Sequence, residues 1–515
     1  MLITSRIPNP KTLLPWVLGV GAAIASVVLL HTTMVWMALV IAGIVVVVVS
    51  FISRDLKLYW LAVFLTTIPL NITKLLFFSP EDVARMKEHY GVIAFENLVP
   101  QLYLSDLPLL VLLALWVGEI LVKRKRIYAP KAMLVAAGFI AWCLLTLTVA
   151  SAPELGLVWI FYQVKNLLMF LWFVNAALDR RAIRLVVAVL LAGLALQGLM
   201  TVYSYRNQIG EHFWGDTFGV GQTSREIRTG AARGTGAAYV YESGDLLRGS
   251  GSVGVGNLQA MYFVMVLPLA LAWGLFARRG LVRLVSLAVF GVGMVGLVLT
   301  YSRGGLLTTF IALVALLVLT AHRGLIGRKT FASIGVLSLV GLSALTPFLY
   351  DYFSSRPTFL MTRFDHSSYG LQIMLQHPML GVGMNNFNIA INPQDYGGVF
   401  AAMPLHNHYL RVGIETGLIG LAIYLAFFAW TAGQAYRSIW ITDRLLASTA
   451  IALFASLIGI SAYWMTDLFY DAVVRTQLWV TIALIVVIRQ IGKKEPVPGT
   501  DILDQTHVAA PKVLH

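Results

Sequence analysis

The sequence predicts an all-α polytopic membrane protein with about 14 transmembrane helices and two or three long extracytoplasmic loops. Hydrophobic residues make up 58% of the 515 positions and charged residues only 12%, far from the composition of a water-soluble globule. Apolar runs of about 20 residues, each long enough to cross a hydrocarbon core as a helix, recur along the whole chain. The polar connections between them are short, with three exceptions.

The runs fall near 13–30, 34–53, 58–78, 107–122, 132–150, 157–177 and 184–204, then near 258–277, 284–301, 305–321, 330–350, 409–432, 446–466 and 474–491. This divides the chain into N-terminal helices (1–204), a loop (205–257), core helices (258–350), a second loop carrying the candidate chemistry (351–408), C-terminal helices (409–492) and a tail (493–515). The tail has charge, Pro and Gly but little apolar periodicity, which predicts disorder.

The net charge of +14 does not indicate a nucleic-acid partner once the basic residues are placed. They cluster on the side of the N-terminus, as in Lys123-Arg124-Lys125-Arg126, Arg180-Arg181, Arg278-Arg279 and Arg328-Lys329, where few carboxylates join them. That is the positive-inside pattern, and it predicts a multi-pass membrane protein with both termini cytoplasmic. The first run, behind Arg6 and Lys11, reads as an uncleaved signal-anchor because further spans follow. Cys143 is the single cysteine, so the chain forms no intramolecular disulfide.

With the N-terminus inside, the long segments 79–106, 205–257 and 351–408 all emerge outside, and loops of that length are usually functional or disordered. Segment 205–257 is rich in Gly and carries Arg206, Arg225, Arg228, Arg233 and Arg248; a solvated loop and a substrate lid account for it equally. Segment 351–408 contains an apolar helix face, Tyr369 to Leu375, ending at His377-Pro378, then a Leu380-Gly381-Val382-Gly383 turn.

Pro404-Leu405-His406-Asn407-His408-Tyr409-Leu410 places two imidazoles where that loop re-enters an apolar span. Two His at i, i+2 point in different directions, which argues against a zinc site and lets only one face a given cavity. His406 is either an interfacial histidine satisfied by backbone or headgroup, or a general base, since an imidazole pKa near 6.5 suits removal of a hydroxyl proton. Asn407 caps the following helix or orients the ring. Arg411 and Glu415 are spaced for an intrahelical ion pair, with anion contact the other role for Arg411. Arg303, in Tyr301-Ser302-Arg303-Gly304-Gly305, either snorkels or binds phosphate, because the glycines admit a close approach and the guanidinium offers two parallel donors. Arg356 and Arg363 add further anion contacts or surface charge. Lys165 lies deep in an apolar run, a position that calls for a polar cavity or a structural partner.

His406-Asn407-His408-Tyr409-Leu410, followed by Glu415-Thr416-Gly417-Leu418-Ile419-Gly420, resembles the signature of the O-antigen ligase and polymerase superfamily. Arg248-Gly249-Ser250-Gly251 with Asn257, Ser302-Arg303-Gly304-Gly305 and His377-Pro378-Met379-Leu380-Gly381-Val382-Gly383 resemble further segments of it, in the same order. The resemblance covers roughly residues 245–435. It implies a glycosyltransferase of polysaccharide biosynthesis that takes a glycan from undecaprenyl diphosphate and needs no cofactor. The acceptor is the lipid A core of lipopolysaccharide in the ligases and another lipid-linked repeat in the polymerases. By position, His406 matches the catalytic histidine, Arg303 an arginine assigned to the pyrophosphate, and Arg363 a further arginine in a looser pattern. Lys165 would join them at the diphosphate. The rival classes are a transporter or flippase, and a metal-dependent oligosaccharyltransferase using Glu81-Asp82 or Asp467 with Asp471.

Overall fold

The computed structural model describes residues 34–75, 99–207, 248–327, 358–390, 405–468 and 471–493, with isolated positions between them. The expected span 13–30, nearly all of 330–350, most of the loop 205–257 and the tail beyond Lys493 lie outside the described residues.

The helices are α1 (Met34–Ile52), α2 (Leu56–Thr67), α3 (Asp106–Lys123), α4 (Lys131–Thr146), α5 (Pro153–Asn175), α6 (Arg180–Arg206), α7 (Gly256–Phe276), α8 (Gly280–Leu299), α9 (Arg303–His322), α10 (Thr358–Gln376), the single turn α11 (Phe387–Ala390), α12 (His408–Ser438), α13 (Arg444–Tyr463) and α14 (Ala472–Lys493). Nine helical segments among the described residues are long and apolar enough to cross a membrane. Short polar side chains set the starts: Asp55, Asp179, Ser302, Asn407 and Asp443 each accept a hydrogen bond from a backbone N–H in the first turn of their helix.

The expected span 58–78 is correct only in its first part. After Thr67 one 3-10 turn, Ile68–Leu70, closes the helix, and Asn71 turns out of it at φ +48°. Pro69 offers no N–H to a continuing helix, and Asn tolerates the left-handed region. Strand β1 (Thr73–Leu75) then pairs antiparallel with β2 (Gln101–Tyr103).

The interior is built on α14, α7 and α13. Of the most apolar stretch of α14, 94% is buried, against 22% for α8, where Leu281, Leu284 and Val295 stay open as lipid-facing side chains do. The helices run up and down, so the bundle has two chemically different ends. One gathers Lys57, Lys123, Lys125, Arg180 and Arg323. The starts of α5, α7, α9, α12 and α14 lie at the other, tied by backbone contacts such as His408 N–H to Trp464 O at 2.8 Å.

At that second end α12 is broken. Gly417 sits at φ 70°, ψ 179°, outside helical geometry. A break inside an apolar span leaves carbonyls and amides without helical partners, and each costs free energy unless another group pairs with it. The segment following α10, together with Trp142 of α4, supplies those partners. Val382 N–H donates to Ile414 O (2.9 Å), Leu418 N–H donates to Pro378 O (2.8 Å), and the Trp142 indole N–H donates to Thr416 O (2.8 Å). Gly381 and Gly417 face one another's segments so closely that a Cβ on either would collide with a backbone carbonyl, of Ile414 or Met379 respectively. Asn386 fastens the same segment to the start of α5, accepting from Ala152 N–H (2.7 Å) and donating to Ala152 O (3.0 Å).

Candidate active site

The step from α8 to α9 takes three residues, Thr300 to Ser302, and turns on Tyr301 in the left-handed region at φ 50°. Tyr301 stacks on Tyr205 with the two hydroxyls 3.2 Å apart. That hydrogen bond, with partial burial, raises the Tyr301 phenol to about 12. The Ser302 hydroxyl accepts from Gly305 N–H (3.2 Å) and lies 2.8 Å from the Tyr463 hydroxyl, at the end of α13. Arg303 is thereby the first residue of a 20-residue helix, whose N-terminal dipole end favours an anion. Arg248 braces the same corner, donating from Nε to Thr300 O (2.9 Å) and from Nη2 to Asn257 Oδ1 (2.5 Å). Tyr463 closes the ring by donating to Asn257 O (3.2 Å).

His406 reaches this corner through the chain just beyond α13. Its Nδ1 lies 3.0 Å from Asp467 Oδ1, which also accepts from Leu468 N–H at 2.8 Å. Asp467 is buried and the His406 side chain keeps 21% exposure. Thr466, the residue before Asp467, has its hydroxyl against Gly304, so the carboxylate that holds His406 and the helix start that carries Arg303 abut at the end of α13. A carboxylate on Nδ1 fixes the tautomer with its proton there and leaves the Nε2 lone pair free to take another. Nε2 makes no hydrogen bond to any described residue.

His408 turns the other way, as the i, i+2 spacing requires. Its Nε2 lies 2.9 Å from the Tyr424 hydroxyl and its ring packs on Trp464. Asn407 is the cap of α12, accepting from Leu410 N–H at 3.0 Å. Lys165 pairs with Asp106 at 2.8 Å, over the rings of Tyr103 and Tyr162. Arg411 pairs with Glu415 at 2.6 Å, both side chains almost wholly buried. The structure therefore brings Arg303, Arg248 and His406 to one corner and gives Lys165 and Arg411 carboxylate partners of their own. Arg356 and the side chain of Arg363 lie outside the described residues.

Two groups acquire roles the sequence reading did not give them. Asp467, weighed only as a metal carboxylate beside Asp471, is the partner of His406. Its signal was a lone carboxylate at an apolar boundary, but only the packing of α12 on α13 supplies the pairing. His366, on α10, is buried close enough to His406 to feel its charge; burial first and that neighbour second hold its pKa below the ordinary imidazole value.

The described helices define a multi-pass membrane protein whose polar residues gather at one end of the bundle. Residues 287–425 match the family described as O-antigen ligase, which supports membership of the O-antigen ligase superfamily. The matched stretch holds Arg303 and His406 and stops before Asp467. The match supports a function of the lipid-linked glycan transferase type. No curated protein matches the chain. A chain from a solved structure titled "Structural coordination of polymerization and crosslinking by a peptidoglycan synthase complex" is similar at 15% identity and a TM-score of 0.39, over 72% of this chain and 99% of that one. That likeness is too distant to carry function.

Proposed function

We propose that this protein transfers a glycan from undecaprenyl diphosphate to an acceptor hydroxyl on the outer face of the bacterial inner membrane, with His406 as general base. The observation that carries the reading is the 3.0 Å contact between His406 Nδ1 and Asp467, with Nε2 left open at the end of the bundle remote from the clustered basic residues. In this mechanism Nε2 takes the acceptor proton as the oxygen attacks the anomeric carbon, and Asp467 stabilises the imidazolium that forms. The glycosyl C–O bond to the diphosphate breaks as the new one forms, and attack opposite the leaving group inverts the centre. Arg303, at the positive end of α9, stabilises charge growing on the departing diphosphate, with Arg363 as a second contact. The leaving group is already activated, so neither nucleotide nor metal is required. The positive-inside rule puts the basic end, and both termini, in the cytoplasm.

The test is transfer by purified protein reconstituted with a lipid-linked glycan. His406→Ala should lower the rate by about 10²- to 10⁴-fold, the usual worth of a general base, while His408→Ala, away from the corner, should be milder. Equal rates in wild type and His406→Ala would remove the base from the mechanism. In a deletion strain, lipid-linked precursor accumulating in the outer leaflet supports transfer, and accumulation in the inner leaflet supports a flippase. Long chains left on the carrier identify a ligase and single repeats a polymerase.

A further inference from the structure

Helix α10 carries three stripes, each of residues spaced i, i+4 and therefore sharing a face. His366, Gly370 and Met374 are buried, with Ile373 beside them. Ser368, Gln372 and Gln376 are exposed and make a polar stripe. The third stripe is apolar and also exposed: Leu371 at 45%, Leu375 at 63% and, in the turn that follows the helix, Met379 at 64%. Single apolar side chains on a surface need no explanation, but three in line form a patch that calls for an apolar neighbour.

The depth of the stripe says what that neighbour is. The buried side of α10 descends along α12: Gly370 lies against Leu410 and Ile414, and Met374 against Gly413. Beyond the helix, Pro378 O accepts from Leu418 N–H at 2.8 Å. α12 has 31 residues, roughly 46 Å at about 1.5 Å per residue, so about 8 Å projects at each end of a hydrocarbon core of roughly 30 Å. Leu418 lies roughly 15 Å along α12 from His408, past that overhang and at hydrocarbon depth. Leu418 and Leu425, 45% and 44% exposed, belong to the lipid-facing side of this span, and Met379 continues that side onto the segment after α10. α10 is not among the helices apolar enough to cross a membrane, so any seat in the bilayer rests on this one stripe. We propose that α10, in a segment expected outside the membrane, is seated in the outer leaflet, with the hydrocarbon chains of bilayer lipids covering Leu371, Leu375 and Met379. Leu371 sits near the interface and Met379 deepest. Because the buried stripe carries His366, lipid contact also holds the arm that packs beside His406. The inference needs no part of the transfer reaction.

The test is site-directed spin labelling of the full-length protein in phosphatidylethanolamine and phosphatidylglycerol vesicles, with no substrate present. Nitroxides on Leu371→Cys, Leu375→Cys and Met379→Cys are compared with nitroxides on Ser368→Cys and Gln372→Cys, and the wild type, whose Cys143 is buried, sets the background. Collision with oxygen, which concentrates in hydrocarbon, is measured against collision with a water-soluble nickel chelate. The oxygen-to-nickel ratio should rise in the order 371, 375, 379 and exceed the ratios at 368 and 372 several-fold at the two deeper positions. Ratios at 375 and 379 no higher than at 368 would put the stripe in water and overturn the proposal. Shielding of these labels from both reagents would also overturn it, with spin–spin broadening identifying a second copy as the cover and its absence another part of the chain. None of these outcomes involves glycan transfer, so the transferase reading stands or falls separately.

Discussion

At one end of the bundle Lys57, Lys123 and Lys125 converge on Glu119, their side chains 31%, 59% and 49% exposed. At the other, Arg248 is held by a carbonyl and an amide, Lys165 by Asp106 and Arg411 by Glu415, all buried or half-buried. The difference is one of solvation. An exposed ion pair is screened and contributes roughly 0–1 kcal/mol, so the first set is free to serve topology. A buried charge must be matched by a specific neighbour, so each cation of the second set occupies one geometry. That pre-arrangement is what the proposed chemistry at the second end draws on.

The sharpest way to break the contrast at the buried end is Arg303→Lys. Lysine keeps the charge and loses the fork, so if Arg303 grips a diphosphate with two donors, transfer in the reconstituted assay should fall well below wild type while the protein still folds. An unimpaired lysine variant would make Arg303 a snorkelling residue like those at the opposite end. Gly417→Ala comes next. It forces a Cβ onto the Met379 carbonyl and a left-handed φ onto alanine, so it should cost more than about 1 kcal/mol in thermal unfolding and loosen the segment from Pro378 to Asn386. Unchanged stability would mean that the docking of this segment into the α12 break contributes little. Lys123→Met should do least: its side chain is the most open of the three at Glu119, and the exposed end predicts a change of under about 1 kcal/mol in stability and none in transfer.

Much of this was legible in the residues, unevenly. Apolar length marked the spans because a bilayer demands it, and Asn407 was readable as the cap of the helix that follows it. The His406 and Arg303 corner was suggested by polar groups at apolar boundaries. The partners were not legible, because they depend on which helices touch. Asp467 lies 61 residues from His406, and Asp106 lies 59 from Lys165, so no local pattern connects them. The end of the third run at Leu70 was hidden for another reason. Ile, Leu and Phe on both sides of Pro69 keep the stretch apolar, while a single missing N–H and one left-handed Asn decide where the helix stops.

The central claim is that His406 and Asp467 act as one unit. A double-mutant cycle in the reconstituted transfer assay, comparing His406→Ala, Asp467→Asn and the pair, tests it most directly. If Asp467 works by holding and charging the His406 ring, Asp467→Asn alone slows transfer, and adding it to His406→Ala slows nothing further. Additive losses in the doubly substituted protein would show that the two side chains act separately and would contradict the account.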